Sequence, residues 1–521
     1  MAKSTSTMVR HALFMMAGTL ASRILGLVRE IVTAAWFGAS GVLDAFNVAF
    51  TLANLARQLL AEGALSASFV PVFSRVLRDK GSAEAENLAR QAFTVLLAAA
   101  GIAVAVGILV SPLLVGIMAP GFDPVKAALA VSLTRWMFPF LMFVSLAALA
   151  MGVLNSMGSF LVSALAPALS NLVYIVMVLF LASGWGVRGL AAAVLAGGVC
   201  QFWLQWKWTE RLGILLLPGR PDFGNPDLRR MLSLFFPYAA GLSLNQVNPV
   251  ISRMLASFLQ EGAISVLNYA NRIIQLPLGL FVIAVSQAVL PQLSRFPRDR
   301  VGEFGETMAE SLRFALFVVL PVTLGMVLVS REIVHLLFFR GAFGEWAWEG
   351  TSLSLAMYSA GLPGMACSTV AMRGLYARSL PREAMWVTLS SVAATAVFSL
   401  ALMKPLGFGG LALATSLSFT LSGWVGVKLL SRDLGMPLGI FPLPWVFKMG
   451  ISLAVTATAV FMYNWAGPYP AAAGAGLRSA WVGGVFLASC AVYGAATAAL
   501  GFQEWVWLRD ALTRRKRRNE L

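Results

Sequence analysis

Charged side chains are scarce in this sequence. Asp, Glu, Lys and Arg make up 12% of the 521 residues, whereas 59% of the residues are hydrophobic. Soluble domains carry about a quarter charged residues, so a chain this long and this apolar lacks the polar groups that would cover its surface in water. The composition excludes a soluble globular protein and predicts an integral membrane protein whose solvent is the bilayer.

Histidine and cysteine are also rare. The histidines are His11 and His335, and the cysteines are Cys200, Cys367 and Cys490. The cysteines lie in apolar stretches without a CxxC spacing, which favours free buried thiols over disulfides or metal ligands. There is no Walker motif for hydrolysis of ATP. We therefore expect no cofactor, no metal ion and no catalytic residues, and we predict that the protein is not an enzyme.

Long apolar stretches are abundant instead. A window of about 20 residues, the length that crosses a bilayer as a helix, selects about fourteen spans. They lie near residues 11–37, 41–77, 86–118, 124–155, 159–183, 186–208, 228–258, 263–294, 305–330, 345–377, 383–403, 407–430, 441–464 and 479–500. The sequence predicts an all-α polytopic membrane protein with about fourteen transmembrane helices.

Lys and Arg are distributed unequally among the loops. The formal net charge is +16, and the basic residues recur on alternate sides of the spans, whereas the loops at 37–41, 120–126 and 184–188 are nearly bare. Basic loops stay in the cytoplasm. We expect a multi-pass protein of the bacterial inner membrane with both termini cytoplasmic and the loop at 339–343 outside. The basic tail is expected to contact anionic lipid rather than nucleic acid.

The two halves of the sequence resemble each other at an offset of about 220 residues. Residues 42–47 match 266–271, residues 71–75 match 291–295, and residues 150–154 match 371–375. Six spans per repeat preserve orientation, so we predict two parallel six-helix bundles around a central cavity, as in transporters. The predicted domains are a first bundle at 1–210, a cytoplasmic linker at 211–227, a second bundle at 228–432, two extra helices at 433–500 and a basic cytoplasmic tail at 501–521.

Polar side chains share faces of the apolar helices. In the first span, Arg23 and Glu30 lie on one face at 100° per residue and could pair, whereas Arg29 lies about 120° from Arg23. The second span carries a stripe within roughly an 80° arc, and the eighth carries one within roughly a 100° arc. The members of the stripe on the second span are Asp44, Asn47, Thr51, Asn54, Gln58 and Glu62, with Arg57 beside them; those on the eighth are Asn268, Asn271, Arg272, Gln275 and Ser286.

Charged groups inside a membrane usually face a cavity and serve a function. A guanidinium group suits phosphate, because its planar fork makes two charge-assisted hydrogen bonds at once. The arginines Arg23, Arg29, Arg57 and Arg272 are therefore predicted to bind an anionic group. Contacts between helices remain an equal alternative for the Asn and Ser residues, and snorkelling to the membrane surface remains the alternative for the arginines.

Several short segments of the sequence resemble the MurJ (MviN) lipid II flippase family, which belongs to a wider exporter superfamily with MATE-type drug exporters and polysaccharide-precursor flippases. The resemblance runs from the first span through the twelfth. The segments are residues 22–30 (SRILGLVRE), 44–46 (DAF), 54–57 (NLAR), 61–64 (AEGA), 69–71 (FVP), 119–122 (APGF), 270–272 (ANR) and 339–343 (FRGAF).

This resemblance implies flipping of the undecaprenyl-pyrophosphate-linked peptidoglycan precursor, lipid II, from the cytoplasmic to the outer leaflet by alternating access, in support of cell-wall synthesis and cell shape. It implies that Arg23, Arg29, Arg57 and Arg272 bind the pyrophosphate. The acidic positions of the family match Asp44 and Glu62. From these and from the polar helix faces, the side chains predicted to line or gate the cavity are Glu30, Asp44, Asn54, Gln58, Glu62, Asn268, Asn271 and Gln275. The expected partners are the lipid-linked anionic substrate, membrane lipids and cell-wall synthesis proteins, with a monomer favoured. The two last helices are expected to flank a groove for the lipid tail.

Two other functions stay open at this point. One is a flippase for another lipid-linked oligosaccharide, and the other is a cation-coupled exporter of small molecules. Hard cations need carboxylate ligands, and the deep carboxylates Glu30, Asp44 and Glu62 all lie in the first half. We therefore expect cation binding in the second bundle to be absent or weak.

Overall fold

The computed structural model describes residues 2–60, 64–243, 246–297 and 299–507, and the regular secondary structure of these residues is helical, without a β-strand. The helices in the first part of the chain are α1 (Ala2–Phe37), α2 (Gly41–Leu60), α3 (Ala64–Lys80), α4 (Ser82–Leu109), α5 (Ser111–Met118), α6 (Pro124–Met137), α7 (Pro139–Ser156), α8 (Phe160–Trp185), α9 (Val187–Arg211) and α10 (Pro226–Ser243). Those in the second part are α11 (Val247–Ala256), α12 (Ala263–Pro277), a π-helical segment (Leu278–Ile283), α13 (Ala284–Leu293), α14 (Val301–Leu328), α15 (Ser330–Phe338), α16 (Glu345–Ser359), α17 (Leu362–Ala377), α18 (Pro381–Leu434), α19 (Leu443–Ala466) and α20 (Ala475–Ala499).

The prediction of an all-α polytopic membrane protein is confirmed. Every predicted span coincides with helix, and nine helical stretches of the described residues are long and apolar enough to cross a membrane. Nine is fewer than the predicted fourteen because helices are merged in one place and divided in others. The single stretch Pro381–Leu434 covers two predicted spans and is interrupted at Gly407 (φ 55°, ψ −132°). Elsewhere a predicted span is divided into two short helices, as at α2 and α3 or at α16 and α17.

Proline and capping residues explain several of these breaks. Proline removes a backbone donor and crowds the preceding turn, and the π-helical segment follows directly on Pro277. Asp123 begins α6 by accepting hydrogen bonds from the backbone N–H groups of Val125 and Lys126, both at 3.0 Å. These bonds favour the charged carboxylate and lower the pKa of Asp123.

The chain forms two compact units, and the first comprises Met1–Ser265 together with Arg340–Phe343. Its core contains Phe69 and Phe73 of α3, packed with side chains of α4 and α7. The predicted linker is part of this packing, because Ile214 and Leu216 are fully buried in the same core. Gly219 also exchanges two hydrogen bonds with the hydroxyl of Thr94, at 2.7 and 2.8 Å.

The second unit comprises Val266–Phe339 and Gly344–Leu521. Its last two helices pack on α14 through an aromatic cluster around Phe317, whose carbonyl accepts a 2.7 Å hydrogen bond from the Tyr493 hydroxyl. A second cluster joins Val329 and Trp481, and the Trp481 indole donates to the carbonyl of Gly467. Helices α19 and α20 are therefore integral to the second unit. The predicted limits of the two bundles stay predictions.

Candidate functional site

Arg29 of α1 is held between aromatic rings within the first unit. Its guanidinium carbon lies 5.2 Å from the ring centroid of Phe50 and 5.2 Å from that of Tyr174. Its Nη2 donates to Oε1 of Glu30 at 2.7 Å, and the Tyr174 hydroxyl contacts Thr33 Oγ1 at 3.1 Å. The side chain keeps 19% exposure. Two rings and a carboxylate therefore orient the guanidinium while part of it remains accessible to an anion.

Glu30 pairs with the adjacent Arg29, whereas the sequence suggested that Arg23 and Glu30 could pair, which stays a prediction. The two residues share a helical face, but a separation of seven residues along an α-helix corresponds to about 10.5 Å of rise. Arg23 itself is half-buried on α1.

The polar stripe of α2 divides into two parts. In the C-terminal half, Asn54, Arg57 and Gln58 are half-buried, and Arg57 Nε donates to Asn54 Oδ1 at 2.8 Å. In the N-terminal half, Asp44 and Asn47 are buried, at 1% and 6% exposure. Glu62, the last predicted member, lies outside the described residues.

Asp44 forms the centre of a buried polar cluster in the first unit. Its carboxylate accepts hydrogen bonds from the backbone N–H groups of Gly262 (2.7 Å) and Ser265 (2.8 Å) and from the Ser265 hydroxyl (2.7 Å). Lys126 Nζ lies 3.3 Å from the same carboxylate, and Asn47 donates to Ser265 Oγ at 3.1 Å. Asp44 thus satisfies the free N–H groups at the start of α12, where a helix favours negative charge.

A second close contact joins the turn after α1 to residues 340–343 within the same unit. The backbone N–H of Ala342 donates to the carbonyl of Ala35 at 2.8 Å. Both glycines of this contact have positive φ, +57° at Gly38 and +58° at Gly341. A Cβ atom on Gly38 would overlap the carbonyl oxygen of Ala342, and one on Gly341 would overlap that of Ala35. Only glycine permits this approach, and we call this contact the glycine clip.

The eighth predicted span is α12 with the helix that follows it, and its stripe belongs to the second unit. Asn271 and Gln275 are exposed, and Asn268 and Arg272 are half-buried. Gln275 donates to Asn271 Oδ1 at 3.0 Å and accepts from Arg272 Nη1 at 3.4 Å. Exposed amides beside an arginine are costly against lipid, so this face of α12 is suited to a water-filled space. That Arg23, Arg29 and Arg272 line one cavity stays a prediction.

Residues that the sequence did not single out complete these arrangements. Lys126 neutralises Asp44, and Tyr174 and Phe50 hold Arg29. Lys126 carried a weak signal, as a single cation in a loop that is otherwise nearly bare, whereas an aromatic residue inside an apolar span carries none. In the part of the chain that the structure describes, no three His, Cys, Asp or Glu side chains lie close enough to share a metal ion.

Comparison with known proteins identifies one family over most of the chain. The family model described as lipid II flippase MurJ matches residues 33–470. A protein of Rhizobium meliloti named probable lipid II flippase MurJ is 33% identical over 518 residues, which is 95% of this chain and 94% of the relative.

Two solved structures extend the comparison to the fold. A structure of lipid II flippase MurJ in an inward closed conformation has a TM-score of 0.78 at 24% identity, covering 96% of this chain and all of that one. A multidrug resistance MATE family transporter of the MOP superfamily, facing inward, has a TM-score of 0.68 at 14% identity, covering 81% of this chain and 98% of that one. The family match and the identity along nearly the whole chain show that this protein belongs to the lipid II flippase MurJ family.

Proposed function

We propose that this protein moves lipid II from the cytoplasmic to the outer leaflet of the bacterial inner membrane. The observation that carries the proposal is Arg29, a guanidinium group set deep in an apolar helix, oriented by two aromatic rings and still 19% exposed. The relatives that match along most of the chain carry lipid II in their names, and the head group of lipid II is joined to its lipid by pyrophosphate, the anion that an arginine fork fits.

In this proposal Glu30 keeps Arg29 charged and aligned while the site is empty. Within the described residues Arg29 donates one side-chain hydrogen bond, to Glu30, and a guanidinium has five N–H donors. The remaining donors are available to phosphate oxygens. Arg23 and Arg57 of the first unit and Arg272 of the second are the other guanidinium groups proposed to contact the pyrophosphate.

We propose alternating access as the transport mechanism, with both termini cytoplasmic and the glycine clip on the outer side. The chain passes from one unit to the other at residues 265–266, 339–340 and 343–344. A motion that separates the units must therefore bend the chain at these points or release residues 262–265 from Asp44 and residues 340–343 from the clip. On this basis Asp44 is proposed to act in gating rather than in binding the substrate.

The membrane potential is the proposed source of energy. A pyrophosphate diester carries about two negative charges, and moving one charge across 100 mV is worth about 2.3 kcal/mol. Outward movement of the anion is downhill because the cell interior is negative. Flipping in vesicles is expected to stop with an ionophore that collapses the potential and to continue when K⁺ replaces Na⁺. Loss of flipping on removal of Na⁺ at constant potential would contradict this source.

The experiment that tests the function measures the arrival of fluorescent lipid II in the outer leaflet of proteoliposomes. Arg29→Ala is expected to lower the flipping rate by at least about tenfold, the loss expected for one charge-assisted contact of 1.5–3 kcal/mol. Arg29→Lys should retain part of the rate, because it keeps the charge without the fork. Arg188→Ala, at an exposed position of α9, also removes one positive charge and should leave the flipping rate unchanged. A wild-type rate for Arg29→Ala, or transport of small cations without flipping of lipid II, would overturn the proposal.

A further inference from the structure

A cavity of about 530 Å³, open along much of its surface, lies at the end of α18 in the second unit. Its volume falls within the range of small-molecule sites. The wall is largely apolar, and the polar side chains in it are two cations and one serine. The lining residues are Trp424, Val425, Lys428, Leu429, Ser431, Arg432, Gly435, Met436 and Pro437.

The position of the cavity along α18 places it at a membrane surface. Residues 408–427, between the interruption at Gly407 and the first cation at Lys428, contain no charged side chain. A helix of this length spans about 30 Å, the thickness of the hydrocarbon core. Trp424 is 58% exposed, as is typical of the tryptophans that lie where lipid chains meet head groups. Lys428 and Arg432 therefore lie at head-group depth, on the side that the distribution of basic loops makes cytoplasmic.

The two cations are directed to the cavity without an acidic partner. Lys428 Nζ lies 4.8 Å from the ring centroid of Trp424, and Arg432 follows one helical turn later, exposed. The nearest acidic residue in the sequence, Asp433, pairs with Arg378 at 2.8 Å. Among the described residues, neither Lys428 nor Arg432 forms a salt bridge. Cations at a helix C-terminus are ordinary, but here they border an apolar cavity large enough for part of a ligand.

The walls of the cavity are fixed by the backbone. Gly435 ends α18 in the left-handed conformation (φ 64°, ψ 13°), and its N–H bonds to the carbonyl of Arg432. The turn brings the side chain of Met436 against Gly305 of α14, with its sulfur 3.4 Å from the position of a Cβ on that glycine. An apolar wall at the membrane surface is more favourably covered by the start of a lipid chain than by water.

From these observations we propose that the cavity binds one anionic phospholipid of the cytoplasmic leaflet. Its phosphate lies between Lys428 and Arg432, and the start of an acyl chain lies against Val425, Leu429 and Met436. The occupant is anionic because the two cations lack other counter-ions, and it is a lipid because the cavity opens at head-group depth beside an exposed tryptophan. Basic pockets on the cytoplasmic side of membrane proteins bind such head groups.

The test counts phospholipids retained by the purified full-length protein in native mass spectrometry. The probes are phosphatidylglycerol, which is anionic, and phosphatidylcholine, which has no net charge, at equal chain length. The wild type is expected to retain one phosphatidylglycerol in preference to phosphatidylcholine. Lys428→Ala combined with Arg432→Ala should weaken this retention by about tenfold or more, since each surface cation contributes about 1 kcal/mol to an anionic lipid.

Two further variants separate the site from general charge. Arg295→Ala combined with Arg382→Ala removes two exposed cations of the same unit outside the cavity and should retain the lipid as the wild type does. Val425→Trp fills the cavity without changing charge and should lose the lipid. Melting temperatures near that of the wild type are expected for both double variants, because all four side chains are exposed.

Three results would overturn the assignment. The first is unchanged retention in the Lys428 and Arg432 variant, and the second is an equal loss in the control variant, which would reduce the effect to general surface charge. The third is displacement of phosphatidylglycerol by equimolar undecaprenyl pyrophosphate, which would make the cavity a substrate site. None of these bears on the proposed flipping, because the assay measures retention of lipid and not transport.

Discussion

The two halves of α2 carry one polar stripe in two different environments. In the N-terminal half, Asp44 and Asn47 are buried and bonded to the start of α12 and to Lys126. In the C-terminal half, Asn54 and Arg57 bond to each other and stay half-buried. Helical periodicity alone makes the halves equivalent, because every member falls on the same face.

The difference lies in what each half faces. Four backbone and side-chain donors converge on Asp44, so its polarity is consumed within the protein and stabilises the first unit. Asn54 and Arg57 bond to each other and stay half-buried, so part of their surface remains open to a ligand. A polar residue in a membrane helix thus holds segments of the protein together or meets a ligand according to its neighbours, and substitutions in the two halves should separate stability from substrate binding.

The largest effect on stability is expected for Asp44→Ala. The change leaves the Lys126 ammonium and two backbone N–H groups buried without their acceptor, a loss of about 3–5 kcal/mol in the free energy of unfolding. Thermal unfolding in detergent and protein level in the membrane measure it. Asp123→Ala, the same substitution at the exposed cap of α6, is the control and should change the melting temperature much less. Equal melting temperatures for Asp44→Ala and the wild type would show that the cluster contributes nothing.

Alanine at the glycine clip should have the next largest effect. Gly38 has φ +57°, and a Cβ there would overlap the carbonyl oxygen of Ala342. Gly435 has the left-handed conformation (φ 64°, ψ 13°) and open space around it, so Gly435→Ala isolates the backbone strain, about 1–2 kcal/mol. Gly38→Ala should destabilise by that amount and by the cost of displacing residues 340–343. Equal melting temperatures for the two variants would mean that the close approach itself is unimportant.

A substitution in the C-terminal half of α2 should affect the flipping rate more than the stability. Asn54→Ala removes one hydrogen-bond partner of Arg57 but opens no buried core, so its free energy of unfolding should stay within about 0.5 kcal/mol of the wild type. The flipping rate of lipid II in proteoliposomes should fall about fivefold, as expected for a lost hydrogen bond of about 1 kcal/mol. A loss of stability like that of Asp44→Ala, with an unchanged flipping rate, would contradict the proposed difference between the two halves of α2.

The smallest effect on the melting temperature is expected for substitution of Asp227, at the start of α10. Its carboxylate bonds to Lys80 Nζ at 2.8 Å and to Arg75 Nη2 at 2.6 Å, and these cations lower its pKa. A depressed pKa stabilises the folded protein above the unfolded value of about 4, and the contribution is lost as pH falls through the folded pKa. The melting temperatures of the wild type and Asp227→Asn should therefore differ slightly at pH 7 and converge in acid. A difference that persists at low pH would assign the effect to something other than charge.

Much of the architecture follows from the sequence. Hydrophobic length predicted helix at every span, since backbone groups in a bilayer must bond within their own helix, and the confirmed fold class and family rest on this pattern and on short motifs such as residues 22–30. Periodicity also predicted which side chains share a face of α2 and α12. The pairing of Glu30 with the adjacent Arg29 escaped prediction, because the angle around a helix does not decide which side chains reach each other.

The tertiary structure alone decided what each polar group does. Lys126, Gly262 and Ser265 come from segments far from Asp44 in the sequence, and only folding brings them to its carboxylate. The same holds for Tyr174 at Arg29 and for residues 214 and 216, which look like linker in the sequence and are buried in the core. A sequence fixes the chemistry of a side chain and its place on a helix, whereas desolvation and hydrogen-bond partners depend on contacts that no local pattern encodes.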